Sequence, residues 1–114
     1  MSERGVKITI KISFANELWH ALVREARRKD TIVTAIIMDY LIDYFNTRDD
    51  ILDVIHHYKF RLSLDVPSSF HQIKLTTDIL STLNETSYRY KEARDVIVCG
   101  ICKLYLLGRE GKDQ

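Results

Sequence analysis

Between Val6 and Ser13 the chain alternates apolar and polar residues without a break. In an extended segment successive side chains point to opposite faces, so Val6, Ile8, Ile10 and Ile12 share one face and Lys7, Thr9, Lys11 and Ser13 the other. The β-branched content favours a strand over a helix. From about Ala15 the period lengthens, and Leu18, Leu22 and Ala26 form a helical stripe with Glu17, Arg24, Arg27 and Arg28 mostly off it. Lys29-Asp30-Thr31 reads as a break, with Asp30 or Thr31 able to cap a second helix. That helix is predicted from about Val33 to Phe45. Its apolar positions Ile36, Ile37, Tyr40, Leu41 and Tyr44 cover more than one side, which makes it the buried one.

Residues 46–57 read as a connector, in which Asp49 or Asp50 can start a short helical turn. The alternation then recurs over Tyr58–Asp65, with Tyr58, Phe60, Leu62 and Leu64 on one face and Lys59, Arg61 and Ser63 on the other. Pro67 suits the first position of a third helix, whose buried stripe is Phe70, Ile73, Thr77 and Leu80. A polar turn is expected over Asn84–Tyr90, then a fourth helix from about Lys91 to Leu107, ended by Gly108. The pattern is strand-helix-helix, connector, strand-helix-helix: a first repeat over 1–45, a connector over 46–57, a second repeat over 58–108 and a loose tail over 109–114. The predicted fold class is mainly α with a short two-stranded antiparallel ribbon, the two repeats sharing one core.

A lone short strand leaves its backbone groups without partners, and the matching strand of the other repeat is the natural one. Antiparallel pairing within one molecule turns both apolar faces onto the four helices. It also gathers Lys7, Thr9, Lys11, Lys59, Arg61 and Ser63 on one exposed ribbon. Such a ribbon fits the major groove of double-stranded DNA, where basic and hydroxyl side chains reach base edges.

Lys-Ile-Ser-Phe-Ala-Asn-Glu-Leu at 11–18 and Ser-Leu-Asp-Val-Pro-Ser-Ser-Phe at 63–70 resemble the strand-to-helix junction of ribbon-helix-helix proteins, the Arc/MetJ class. The doubled occurrence is similar to the tandem forms known among conjugation-accessory proteins and regulators of archaeal filamentous viruses. The resemblance implies a transcription regulator, either a repressor or an activator. It implies that the six ribbon residues read bases, and that the start of each second helix grips a phosphate with its backbone N–H groups and dipole. Thr31 and Thr34 in the first repeat, and Tyr88, Arg89 and Lys91 in the second, are the expected phosphate contacts. Family members often carry glycine in the turn between the helices. Neither turn here does, and the second reads as the longer of the two.

Composition qualifies this picture. The 114 residues carry a formal net charge of only +1, whereas a nucleic-acid binder is usually basic. The balance is local: Asp39, Asp43, Asp49, Asp50 and Asp53 gather in the middle, while the first thirteen residues set Arg4, Lys7 and Lys11 against Glu3. No apolar run is long enough to span a bilayer, and the first residues lack the apolar core of a signal peptide, so an intracellular, cytoplasmic location is expected. Cys99 and Cys102 have no second ligand pair, and His56 and His57 no spaced partner, so neither metal nor cofactor is expected and the cysteines read as core residues. His20 and His71 read as exposed helix positions, and Trp19 as a packing residue. No nucleophile-base set, glycine-rich phosphate loop or small-molecule site stands out, which argues against an enzyme. The alternatives are an interaction module of antitoxin type and a DNA-binding accessory protein. The expected partner is duplex DNA, with self-association on it possible.

Overall fold

A computed structural model describes residues 6–62 and 67–112. In order they form β1 (Lys7–Ala15), α1 (Asn16–Arg28), α2 (Val33–Thr47), α3 (Ile51–Leu62), β2 (Ser68–Thr76), α4 (Thr77–Tyr90) and α5 (Arg94–Lys112). The protein is mainly helical, with one two-stranded antiparallel sheet made of β1 and β2. The strands pair within one chain, as expected, but the second strand is not where the alternation at Tyr58–Asp65 put it.

Tyr58 and the residues up to Leu62 belong to α3. Ile51, Val54, Ile55 and Tyr58 are all buried, and their spacing is that of one helical stripe. The stripe begins in what reads as a connector, and its helix carries Lys59, Phe60, Arg61 and Leu62 along. Residues 63–66 lie outside the described residues. The third helix expected after Pro67 is instead β2, followed by α4 from Thr77. Pro67 stands just ahead of the strand, where its missing N–H costs no ladder bond, and its carbonyl accepts from the Asn16 N–H at 2.9 Å. Asn84–Tyr90, read as a turn, is the second half of α4.

The two strand-helix-helix halves keep one spacing of 61 residues, from 7 to 68, 16 to 77 and 33 to 94 at the element starts. The buried positions follow it: Ile12 with Ile73, Phe14 with Leu75, Leu22 with Leu83, Ile36 with Ile97, Ile37 with Val98, Tyr40 with Ile101 and Leu41 with Cys102. So do the turns between helices. Asp30 (φ 57°) and Lys91 (φ 54°) are both left-handed. The following N–H groups reach back alike, Thr31 to Ala26 O and Glu92 to Ser87 O, a Schellman-type closure. The second turn is therefore not longer than the first.

Among the described elements only α3 has no counterpart, and it packs on α5. Gly100 lets it approach, since a Cβ there would stand 2.9 Å from Val54 Cγ1 and 3.5 Å from Tyr58 Cβ. A cavity of about 260 Å³ remains in this seam, lined by Val54, Tyr58, Gly100 and Leu104 together with Asp53, His57 and Lys103. On α2 the positions matching Gly100 and Leu104 are Asp39 and Asp43, both exposed. The amino acids thus specify which helix α3 covers. Tyr40 and Tyr44 are buried as expected. Tyr105 is half-buried, stacks on Tyr40 and donates to Asp43.

Candidate nucleic-acid interface

The register pairs Lys7 with Thr76, Thr9 with Lys74, Lys11 with Gln72 and Ser13 with Phe70; between them come Ile8 with Leu75, Ile10 with Ile73 and Ile12 with His71. Directly opposed residues share a face of the sheet, so the first set lies on one side and the second on the other. Ile12, Ile73 and Leu75 are fully buried, which makes the second side the core side. Lys7, Thr9, Lys11, Phe70, Gln72 and Lys74 are exposed, while Ser13 and Thr76 are half-buried. Neither strand contains an acidic residue.

Of the six residues expected to read bases, Lys7, Thr9 and Lys11 are on this face. Lys59 and Arg61 are in α3, away from the strand sequence, and Ser63 lies outside the described residues. The residues that face the first strand's set are Phe70, Gln72 and Lys74. Alternation conceals them because the large apolar Phe70 stands on the polar side of β2 and the polar His71 on its apolar side. The usable signal was the spacing of Ile73 and Leu75 before α4, which repeats that of Ile12 and Phe14 before α1.

His71 is in a strand and not on an exposed helix face. It stacks on Trp19 with ring centroids 3.7 Å apart and planes 9° from parallel, beside Phe14. Burial, with the nearby His20, holds its imidazole below the usual histidine range, which favours the neutral ring in this packing role.

A two-stranded sheet has two open edges. At Ser13 the open edge of β1 is occupied by α5: the Ser13 N–H donates to Asp95 Oδ2 at 2.8 Å, and the Cys99 thiol donates to Ser13 O at 3.3 Å. Burial pushes the Cys99 thiol up to about 12 and raises Cys102 as well, so both stay neutral core groups. Among the described residues no three His, Cys, Asp or Glu side chains are placed to hold a metal ion, and no helix is long and apolar enough to cross a membrane.

The two helix starts differ. α2 begins behind Ile32, which gives no side-chain cap, with Thr31 exposed and Thr34 half-buried beside it. The matching residues at α5 are Glu92 and Asp95, so the second start carries negative charge beside it that disfavours a further anion. Tyr88 and Arg89 lie in the last turn of α4, and Arg89 is 3.6 Å from Glu85 in an exposed ion pair. Lys91 is the left-handed residue that closes that helix. The structure therefore brings three of the expected base-reading residues together with three unexpected ones, and sets the two expected phosphate seats in unlike surroundings. Compared with known proteins, the chain matches no family model, no curated protein and no solved structure.

Proposed function

We propose that this chain is a sequence-specific double-stranded DNA-binding regulator of tandem ribbon-helix-helix type, with β1 and β2 as the ribbon that enters the major groove. The observation that carries the reading is the acid-free exposed face on which Lys7, Thr9 and Lys11 meet Gln72 and Lys74. A two-stranded ribbon has the width of the groove. Lysine donates to guanine O6 and N7, glutamine pairs with adenine N6 and N7, and threonine serves either base. The charge objection weakens because, among the described residues, the acids lie on the helices and at their joints while the strands have none. The single 61-residue spacing supports two equivalent half-units in one chain. The start of α2, at Thr31 and Thr34, is the better phosphate seat, since its first turn has no acidic residue whereas that of α5 has Asp95.

Duplex binding titrated at several salt concentrations tests the reading. Lysines that displace counterions give log K a slope of about −0.9 per phosphate neutralised. Lys11→Ala and Lys74→Ala should each weaken binding, and Gln72→Ala should relax base preference at the centre of the site. A flat salt response, or ribbon variants that melt normally and keep wild-type affinity and preference, would refute it. Under that outcome an interaction module of antitoxin type becomes the better reading.

A further inference from the structure

The register distributes the outward residues unevenly along the ribbon. One end carries Lys7, Thr9, Lys74 and Thr76; the middle is Lys11 beside Gln72; the other end carries Ser13, Phe70, Ala15 and Ser68. All three lysines therefore lie at the centre or toward one end. At the opposite end there is no cation on the strands, and the Asp95 carboxylate sits against the Ser13 backbone. Under the 61-residue spacing Lys11 matches Gln72, Thr9 matches Phe70 and Ser13 matches Lys74, so the pseudo-twofold of the backbone is broken at each of these positions.

Phe70 is the feature that needs an account. It is 67% exposed, on the polar face of its strand, with the half-buried Ser13 opposite. A phenyl ring in water on an otherwise polar ribbon forgoes the burial that the fold gives Phe14 or Tyr44. The major groove offers one apolar group among its donors and acceptors, the 5-methyl of thymine, and phenylalanine is one of the side chains that packs on it.

We propose that Phe70 reads thymine through its 5-methyl group. With the lysines at the far end over guanines, it gives the ribbon a direction, so that one chain reads a non-palindromic site in a single orientation. This rests on the ribbon being the DNA-reading surface. The occupant is identified by the neighbours of Phe70: Gln72 and Lys11, two residues along the same face, carry the hydrogen-bonding groups that suit base edges, and the lysines attract a polyanion.

The test begins with a duplex selected by the full chain from a random library. Each dT in the selected site is then replaced in turn by dU, which removes the methyl and leaves every hydrogen bond in place. The expected result is a loss of roughly fourfold in affinity for each methyl in contact with the ring, confined to positions at one end of an asymmetric site. Phe70→Ala should abolish the difference between dT and dU there while leaving the guanine preference at the other end. Since Phe70 is exposed, the variant should melt like the wild type. Selection of a palindrome overturns the inference, and so does a specific site in which dU equals dT at every position; in both cases the ribbon reading itself survives. Failure to select any duplex removes both. If Phe70→Ala instead converts a DNA-free oligomer to a monomer in sedimentation, the ring is an assembly contact and the inference is overturned.

Discussion

Replacing Gly100 by alanine sets two effects of opposite sign against each other. In the interior of a helix alanine is better than glycine by about 1 kcal/mol, so an unobstructed Gly100→Ala would stabilise. Here the new methyl would meet Val54 Cγ1 at 2.9 Å, well inside normal carbon–carbon contact. Val54 has one strongly preferred rotamer in a helix, and its helix is held by Ile51, Ile55 and Tyr58. Relief has to come from a shift toward the adjoining cavity, at some cost in contacts. Overpacking of this kind costs typically 1–3 kcal/mol. The net expectation is a loss of about 1 kcal/mol, or roughly 4 °C in Tm for a chain of this length. Chemical denaturation of the wild type, Gly100→Ala, Val54→Ala and the double variant isolates the contact. With Val54 truncated the clash is gone, and the same glycine replacement should stabilise by about 1 kcal/mol, a coupling of about 2 kcal/mol. If Gly100→Ala raises the midpoint in the wild-type background, or if the two changes are additive, α3 does not press on α5 as described.

Lys91 holds a left-handed conformation that costs a side-chain-bearing residue roughly 1–2 kcal/mol, so Lys91→Gly should raise the melting temperature by a few degrees. If Lys91 also reaches a phosphate, the same variant binds duplex more weakly with base preference unchanged, so stability and affinity move in opposite directions. The Asp50 carboxyl is held down to about 2 by hydrogen bonds from Arg48 and Tyr44. A carboxyl depressed in the folded state adds stability that is complete above its unfolded value and is lost as pH falls through the folded one. Melting followed from pH 5 to pH 2 should therefore show a loss that Asp50→Asn flattens; parallel curves for the two proteins would contradict the assignment.

The first half of the fold was legible because its periods are unmixed. Ile8, Ile10 and Ile12 alternate with polar residues, and Leu18, Leu22 and Ala26 then keep a helical step. The second half was not, because two local patterns compete there. Tyr58, Phe60, Leu62 and Leu64 alternate like a strand, yet Tyr58 also completes the stripe begun by Ile51, Val54 and Ile55, and burial against α5 decides for the helix. The true strand carries an exposed phenylalanine and a stacked histidine, each on the side where periodicity expects the other kind of residue. The same departure hid half of the candidate interface: Lys7, Thr9 and Lys11 were readable, whereas Phe70, Gln72 and Lys74 needed the cross-strand register. Residues whose surface role conflicts with their hydrophobicity are those that pattern reading assigns to the core.

Both strands of the sheet belong to one polypeptide, joined through α1, α2 and α3. A ribbon assembled from separate subunits comes apart on dilution, and its stability is tied to protomer concentration. Closing this one is a unimolecular event, with an entropic cost that grows only slowly with the length of the joining segment. The paired surface therefore exists at any copy number, down to a few molecules in a cell. If the ribbon binds DNA as proposed, occupancy of a single site would rise with the first power of chain concentration, without the threshold that dimerisation imposes. Any steepness in a dose–response would have to come from contacts between neighbouring molecules along the duplex.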